Sequence, residues 1–239
     1  MREVVKTDDG SMTLYSAEYE DHYHSVKGAL AESVHIFIHN GLCRMLKDFD
    51  TLNILEVGFG TGLNALCTFV EAENHNIKIN YFGIEPEPIS IDEASQLEYC
   101  KLFGDKDLHD VFIKMHMAEH NQPHYLSDNF VLNTICAKIE EVDLQPSAFH
   151  LVYFDPFKPD THAEVWTTEV FNRIFHALKP GGIMLTYSSR GSVRRAMKDA
   201  GFNVEKIPGP CGKREISMAV KDCIDKLEYS SVCGCSQND

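Results

Sequence analysis

Leu52-Asn-Ile-Leu-Glu-Val-Gly-Phe-Gly-Thr-Gly-Leu63 has the pattern of a buried strand running into a glycine turn and then a helix. Leu52, Ile54, Leu55 and Val57 read as the strand, and Leu63, Leu66, Phe69 and Val70 recur at helical spacing behind the turn. Gly58, Gly60 and Gly62 form the bend, where missing side chains let a ligand approach the backbone and positive φ is accessible. The spacing is Gly-x-Gly-x-Gly, with Glu56 two residues ahead of it, whereas the dinucleotide fingerprint is Gly-x-Gly-x-x-Gly. S-adenosylmethionine is favoured over a nicotinamide. A second buried run, Ile77 to Ile84, ends in Glu85, and a carboxylate at that place in a βαβ unit can take both hydroxyls of a ribose.

The 239 residues form most simply one α/β domain with modest additions. The expected division is an appendage over residues 1–33 that packs on the cofactor edge, a main domain over 34–221, and a flexible tail over 222–239. No apolar run reaches membrane-spanning length and the amino terminus lacks the apolar core of a signal peptide, so the expected location is the cytoplasm, with no membrane partner. The eight cysteines include no Cys-x-x-Cys pair, as expected of reduced thiols.

A formal charge of −14 argues against a general nucleic-acid binder, but the charge is uneven. Residues 158–221 hold 11 Lys and Arg against 6 Asp and Glu, a net of +5, leaving −19 for the rest. A polyanion would therefore meet Lys158, Arg190, Arg194, Arg195, Lys213 and Arg214.

Along the chain, Ala29 to Leu46 has helical spacing with an interruption expected near Asn40-Gly41. Ile89 to Tyr99 reads as a crossover helix, Leu102 to Phe130 as a mainly helical insert, and Phe130 to Ile139 as a strand. The acidic loop from Glu140 is a place where adenine could be contacted. His116, His120 and His124 lie four apart, but Pro123 disturbs the helix and no cysteine partner or His-Glu-x-x-His accompanies them, so no metal site is expected; nor is one expected at Cys233-Gly-Cys235. Phe149 to Phe154 is a strand, Trp166 to Leu178 a helix, Lys179-Pro-Gly-Gly182 a turn, and Ile183 to Tyr187 a strand. A basic helix from Arg190 to Ala200 precedes strands Phe202–Ile207 and Arg214–Val220, with Pro208 to Gly212 as a hinge. The result is a seven-stranded sheet ending in a β-hairpin.

Asp155-Pro156-Phe157 falls at the carboxyl end of the strand expected beside the first one, where open α/β sheets place their chemistry. Such a turn can hold an amine: the Asp oxygen and the prolyl carbonyl accept N–H bonds, and the aromatic ring packs on the nucleophile's carrier. Asp155, with an ordinary pKa of about 3.9, is a weak base, so its expected part is to orient the amine and stabilise the charge developing on nitrogen.

With these pieces in order, the chain resembles the tRNA 5-methylaminomethyl-2-thiouridine methyltransferases, a family that also occurs as the amino-terminal half of a bifunctional tRNA-modification enzyme. The resemblance runs from about Asp9 to Val220. It is carried by Asp9-Gly-Ser, the run Tyr23 to Ser33, Glu56 to Asn64, Asp155-Pro-Phe-Lys-Pro, Trp166, Pro180-Gly-Gly182, Arg194-Arg195, Ala200-Gly-Phe202 and Lys213-Arg-Glu215. It implies a Rossmann-like class I S-adenosylmethionine-dependent methyltransferase that methylates the exocyclic amine of 5-aminomethyl(-2-thio)uridine at the tRNA wobble position. It also implies cofactor contacts at Glu56, Gly58, Gly60, Asn64 and Glu85 and a catalytic part for Asp155. The bifunctional members usually have Gly after this Asp and Lys-Asn-Pro before the Trp, where this chain has Pro156 and Thr161-His-Ala. Without an FAD-dependent half, a separate upstream enzyme is expected to supply the aminomethyl nucleotide. A small-molecule amine methyltransferase or aminopropyltransferase, and a non-catalytic nucleotide-binding protein, are the alternatives.

Overall fold

The computed structural model describes residues 2–104, 107–210 and 214–223. Three short strands, β1 (Arg2–Lys6), β2 (Met12–Ser16) and β3 (Asp21–His22), form an antiparallel sheet. The turn between β1 and β2 is organised by Asp9, whose carboxylate accepts the Thr7 hydroxyl at 2.7 Å and the Ser11 N–H at 3.0 Å. The same carboxylate accepts the N–H of Ala31 at 3.0 Å, and Ser11 Oγ accepts that of Ala29 at 3.1 Å. These are orphan donors at the start of α1 (Ala29–Ser33), whose N-cap Gly28 has no side chain of its own. Asp9-Gly-Ser11 thus caps a helix about twenty residues away and ties the small sheet to the main body.

The helical path continues from α1 through a π-helical stretch, Val34–Leu42, into α2 (Cys43–Met45). It widens where an interruption was expected. Asn40 donates its side-chain N–H to the His35 carbonyl at 2.7 Å, and a Cβ on Gly41 would lie 2.8 Å from Leu185 Cδ1, so the glycine lets the helix lie close on the sheet.

The main body runs β4 (Thr51–Val57), α3 (Leu63–His75), β5 (Lys78–Ile84), α4 (Ile91–Leu97), α5 (Cys100–Phe103), α6 (Leu108–Met117), β6 (His124–Tyr125), β7 (Phe130–Ile135) and β8 (Phe149–Phe154). It ends with α7 (Thr168–Ala177), β9 (Leu178–Thr186), α8 (Gly191–Asp199), β10 (Asn203–Pro208) and β11 (Glu215–Val220). The sheet order is β10-β11-β9-β8-β4-β5-β7-β6. The seven expected strands are present, and β6 adds an eighth, because the insert's helix ends at Met117 and the chain folds back through Pro123 to pair β6 antiparallel with β7. The four residues from Lys179 to Gly182, expected as a turn, lie inside β9. The register jumps there from Phe149↔Leu178 to Leu151↔Ile183, a bulge that Lys221 clasps through hydrogen bonds to Gly181 and Gly182.

β4 pairs parallel with β5 on one side and β8 on the other, so the strand order reverses between β4 and β8. Every residue of β8 is buried, as befits a central strand covered on both faces. One face of the sheet packs against the helix from Ala29 to Met45, α3 and α6, the other against α7 and α8. No helix among the described residues is long and apolar enough to cross a membrane.

Candidate active site

The glycine turn and the Asp155 turn leave the switch point side by side, since Val57 pairs with Phe154 and the Asp155 N–H donates to the Val57 carbonyl at 2.9 Å. Gly58, Gly60 and Gly62 all have positive φ (87°, 51° and 74°). The N–H groups of Gly58 and Phe59 both donate to the Ile84 carbonyl, and that of Gly60 donates to Glu85 Oε2 at 2.8 Å. These loop donors are thus spent inside the protein, unlike those of a phosphate-cradling turn. That suits a cofactor that presents a ribose and a sulfonium here, with no pyrophosphate.

Glu85 sits at the end of β5 and also accepts the Glu87 N–H at 3.0 Å. Burial raises its carboxyl, against the lowering by these two N–H bonds and by Arg2. Each carboxylate oxygen keeps acceptor capacity for a hydroxyl. A cleft of about 770 Å³, counted with its mouth, opens over Gly58, Gly60 and Glu85, and Ile84, Pro86 and Ile139 give it apolar walls suited to a flat base. Glu140, from the loop expected near adenine, lines it too. The residues present fit S-adenosylmethionine.

A second cleft, of about 550 Å³, lies on the other side of Asp155-Pro156-Phe157, which forms a wall of both. Each group of this wall is fixed. Asp155 Oδ2 accepts an N–H from Asn64 at 2.9 Å, the Pro156 carbonyl accepts the Tyr187 hydroxyl at 2.9 Å, and the Phe157 carbonyl accepts Trp166 Nε1–H at 2.8 Å. The Phe157 ring stacks on Tyr19 at 4.3 Å and meets the edge of Tyr23 at 4.8 Å. The second cleft is lined by Asp21, Glu32 and Asp155 against one cation, Lys158, which pairs with Asp21 at 3.2 Å. Burial pushes the Tyr187 phenol well above its ordinary range, and Asp155, Asp21 and Glu32 push it further. The surroundings therefore favour a cation.

Among the expected cofactor contacts, Gly58, Gly60 and Glu85 line the first cleft, whereas Glu56, Gly62 and Asn64 lie behind it. Glu56 is fully buried, accepting the Tyr81 hydroxyl at 2.8 Å and an Asn64 N–H at 2.8 Å, and burial lifts its carboxyl well above the usual range. A Cβ on Gly62 would crowd His116 and Phe59, so that glycine serves the packing of the turn. His116, His120 and His124 bond separately, to Thr61 O, Thr134 Oγ1 and Glu119 O. Cys233 and Cys235 lie outside the described residues, as does Lys213.

The basic residues fall into two places. Arg190 forms a two-pronged ion pair with Asp160, and Lys158 lies at the second cleft. Arg194 and Arg214 both act electrostatically on Glu215, which is bridged to Lys206, and Arg195 sits on the same helix as Arg194. The sequence reading missed Tyr187, Tyr19 and Glu32 as site residues. Tyr187 had a signal, since it follows a strand parallel to β8 and so falls at the same carboxyl edge as Asp155. Glu32 had none beyond its place in the Tyr23–Ser33 run, because the fold alone brings that run to the crevice.

Residues 106–222 match the model of a family described as S-adenosyl-L-methionine-dependent methyltransferase. Fold, glycine turn and switch-point crevice are those of the class I S-adenosylmethionine-dependent methyltransferases, and the family model spans just under half of the chain. Within it, the chain is similar to the tRNA 5-methylaminomethyl-2-thiouridine biosynthesis bifunctional protein MnmC of Cupriavidus metallidurans, 29% identical over 230 residues, which are 91% of this chain and 33% of that protein. It thus spans about a third of the length of such curated relatives. Among solved structures it superposes on MNMC2 from Aquifex aeolicus with a TM-score of 0.75 at 24% identity, covering 93% of this chain and 71% of that one. It also superposes on the spermidine synthase from Thermotoga maritima with a TM-score of 0.56 at 12% identity, covering 92% and 68%. At these identities the two structures show a shared fold alone.

Proposed function

We propose that the protein transfers a methyl group from S-adenosylmethionine to the exocyclic amine of 5-aminomethyl(-2-thio)uridine at the wobble position of tRNA. The observation that carries the reading is the Asp155-Pro156-Phe157 wall shared by a nucleoside-type cleft and an acid-lined cleft. The names of the MnmC relatives support the tRNA substrate.

The cofactor, when bound, supplies an electrophilic methyl. The amine attacks in its neutral form, after releasing its extra proton to solvent; Asp155 then accepts one of its N–H groups and holds its lone pair toward that methyl, the placement that removes most of the entropic barrier. The charge that develops on nitrogen is stabilised by Asp155, with Glu32 and Asp21 across the cleft. Pro156 offers its carbonyl as a second acceptor, fixed by Tyr187, and Phe157, stacked on Tyr19 and at a steep angle to Tyr23, adds an aromatic wall beside the base. No covalent enzyme intermediate is required. Phosphates of the tRNA are met by Arg194, Arg195 and Arg214, with Lys158 and Arg190 nearer the cleft. The reaction belongs in the cytoplasm, where tRNA is modified.

The test is methyl transfer from labelled cofactor to bulk tRNA of a strain lacking this gene, followed by nucleoside analysis. The expected product is 5-methylaminomethyl(-2-thio)uridine. Absence of label in tRNA, together with turnover of a free polyamine by methyl or aminopropyl transfer, would replace this reading by a small-molecule one.

A further inference from the structure

Asn64 was expected at the cofactor, yet it is buried on the first turn of α3 with its amide nitrogen between two carboxylates. One N–H reaches Glu56 Oε1 at 2.8 Å and the other Asp155 Oδ2 at 2.9 Å. This orientation of the amide gives Asp155 a donor, whereas the reverse would point the amide oxygen at the Asp155 carboxylate. Glu56 is held in turn by the Tyr81 hydroxyl, and both lie on the central strands β4 and β5. The brace is therefore anchored in the most rigid part of the sheet.

We propose that Asn64 is a positioning residue for methyl transfer, fixing the Asp155 carboxylate toward the acceptor amine while Glu56 and Tyr81 fix Asn64. This rests on the assignment of Asp155 to the amine made above. A carboxylate at the end of a strand has two rotatable bonds, and a single N–H from a fully buried neighbour removes most of that freedom. Glu56 anchors the amide as a carboxyl that burial, with Asp155 nearby, raises well above the usual range.

Asn64→Ala, and Asn64→Leu as a variant that preserves volume, are compared with Asp155→Ala and with the Asn64→Ala/Asp155→Ala double variant. Affinity for S-adenosylhomocysteine by calorimetry is expected within about twofold of the parent, while single-turnover methylation of tRNA falls about ten- to a hundredfold, the size of a lost orienting contact. In the double variant the Asn64 change should add nothing to the loss from Asp155→Ala. A loss that multiplies, or a tenfold weakening of S-adenosylhomocysteine, overturns the proposal and returns Asn64 to packing or to the cofactor.

A second arm needs no substrate. Sinefungin carries a primary amine in place of the sulfonium methyl, so its affinity relative to S-adenosylhomocysteine reports whether Asp155 faces that point. That ratio should fall in Asn64→Ala as it falls in Asp155→Ala, and no further in the double variant. A ratio unchanged by Asn64→Ala or by Asp155→Ala refutes the proposal. A parent that leaves tRNA unmethylated removes the proposed substrate only, and the sinefungin ratio still decides the part played by Asn64.

Discussion

Gly58→Ala tests whether the glycine turn and the Asp155 turn work as one unit. A Cβ at Gly58 would stand 2.7 Å from the Asp155 carbonyl oxygen and 3.0 Å from both the Asp155 carbonyl carbon and Pro156 N. All three are backbone atoms of the peptide that carries the reactive group, so no side chain can rotate away. Restoring ordinary contact of 3.4 Å requires a shift of about 0.7 Å in one turn or the other. The φ of +87° adds its own penalty of about 1–2 kcal/mol for an L-residue, and overpacking adds about 1–3 kcal/mol. Unfolding in denaturant should register a loss of about 2–5 kcal/mol at full rigidity, less if the Asp155 turn yields. If it yields, the amine acceptors move, and a displacement approaching 1 Å costs on the order of a hundredfold in rate. Gly104→Ala is the control: its φ is +69° but no atom lies within 4 Å of the added carbon, so only the backbone term of about 1 kcal/mol remains and turnover is untouched. A Gly58→Ala protein with parental single-turnover rate and stability no lower than Gly104→Ala would refute the coupling of the two turns.

Three other outcomes are expected. Burial depresses His116 to about 4, so it enters the fold neutral, donating to the Thr61 carbonyl at 3.2 Å. The unfolded chain binds a proton at this site below its ordinary value of about 6.5, so stability falls by about 3 kcal/mol as pH drops through the window from 6.5 to 4; His116→Gln should flatten that part of a denaturation-versus-pH curve, and an unchanged slope would show that His116 titrates normally. For Glu56 the sign is opposite. Its folded carboxyl is raised, so the favourable neutral form is complete below the usual carboxylate range and is lost as pH rises, and Glu56→Gln should raise the melting temperature at neutral and alkaline pH and by less near pH 4; equal shifts at both ends would refute it. For tRNA, Arg195→Ala or Arg214→Ala should make the log K versus log salt slope shallower by about one per lost phosphate contact. Arg190→Ala should change it less, because Arg190 already pairs with Asp160, and equal effects of all three would contradict that ranking.

The sheet was legible because β8 is buried along its whole length and β4 along most of it, while β5 and β7 keep buried residues, mostly apolar, at every second position. The turn residues were harder. Lys179-Pro-Gly-Gly182 has the letters of a loop, yet neighbouring β11 is followed by Lys221, whose backbone holds the segment in the strand as a bulge, and no local pattern reports a clasp from forty residues away. Asn40-Gly41 has helix-breaking letters for the opposite reason: the glycine is there for close approach to Leu185, and the helix survives by widening. Within the proposed site, Gly58, Gly60 and Glu85 could be named from the sequence because close approach to backbone calls for glycine and a ribose for a strand-end acid, and the three line one cleft. Glu56 and Asn64 were assigned to the cofactor by the family resemblance, and the structure buries both, outside the lining of the first cleft. Which side of a turn a buried polar residue faces depends on partners distant in sequence, here Tyr81 and Asp155.

The amino-terminal sheet shows where specificity can reside in such a protein. Arg2 donates to the Glu87 carbonyl at 2.8 Å, Tyr19 donates to Glu87 Oε1 at 3.2 Å, and His24 is hydrogen-bonded to Thr61 at 2.7 Å, so these residues are fastened to the rim of the cofactor cleft. The same segment supplies Asp21, His22, Tyr23 and Ser25 to the second cleft, and its Asp9 caps the helix that carries Glu32. A Rossmann-like sheet alone provides the glycine turn, the strand-end acid and Asp155, which suffice to hold a nucleoside cofactor beside an acceptor of any kind. Residues 21–32, outside the sheet, line the same cleft as Asp155. Under the proposed function, this polar, aromatic-rich stretch with the weakest secondary-structure signal is the one whose side chains would discriminate among amines. Exchanging it between relatives would be expected to move substrate choice while leaving cofactor affinity in place.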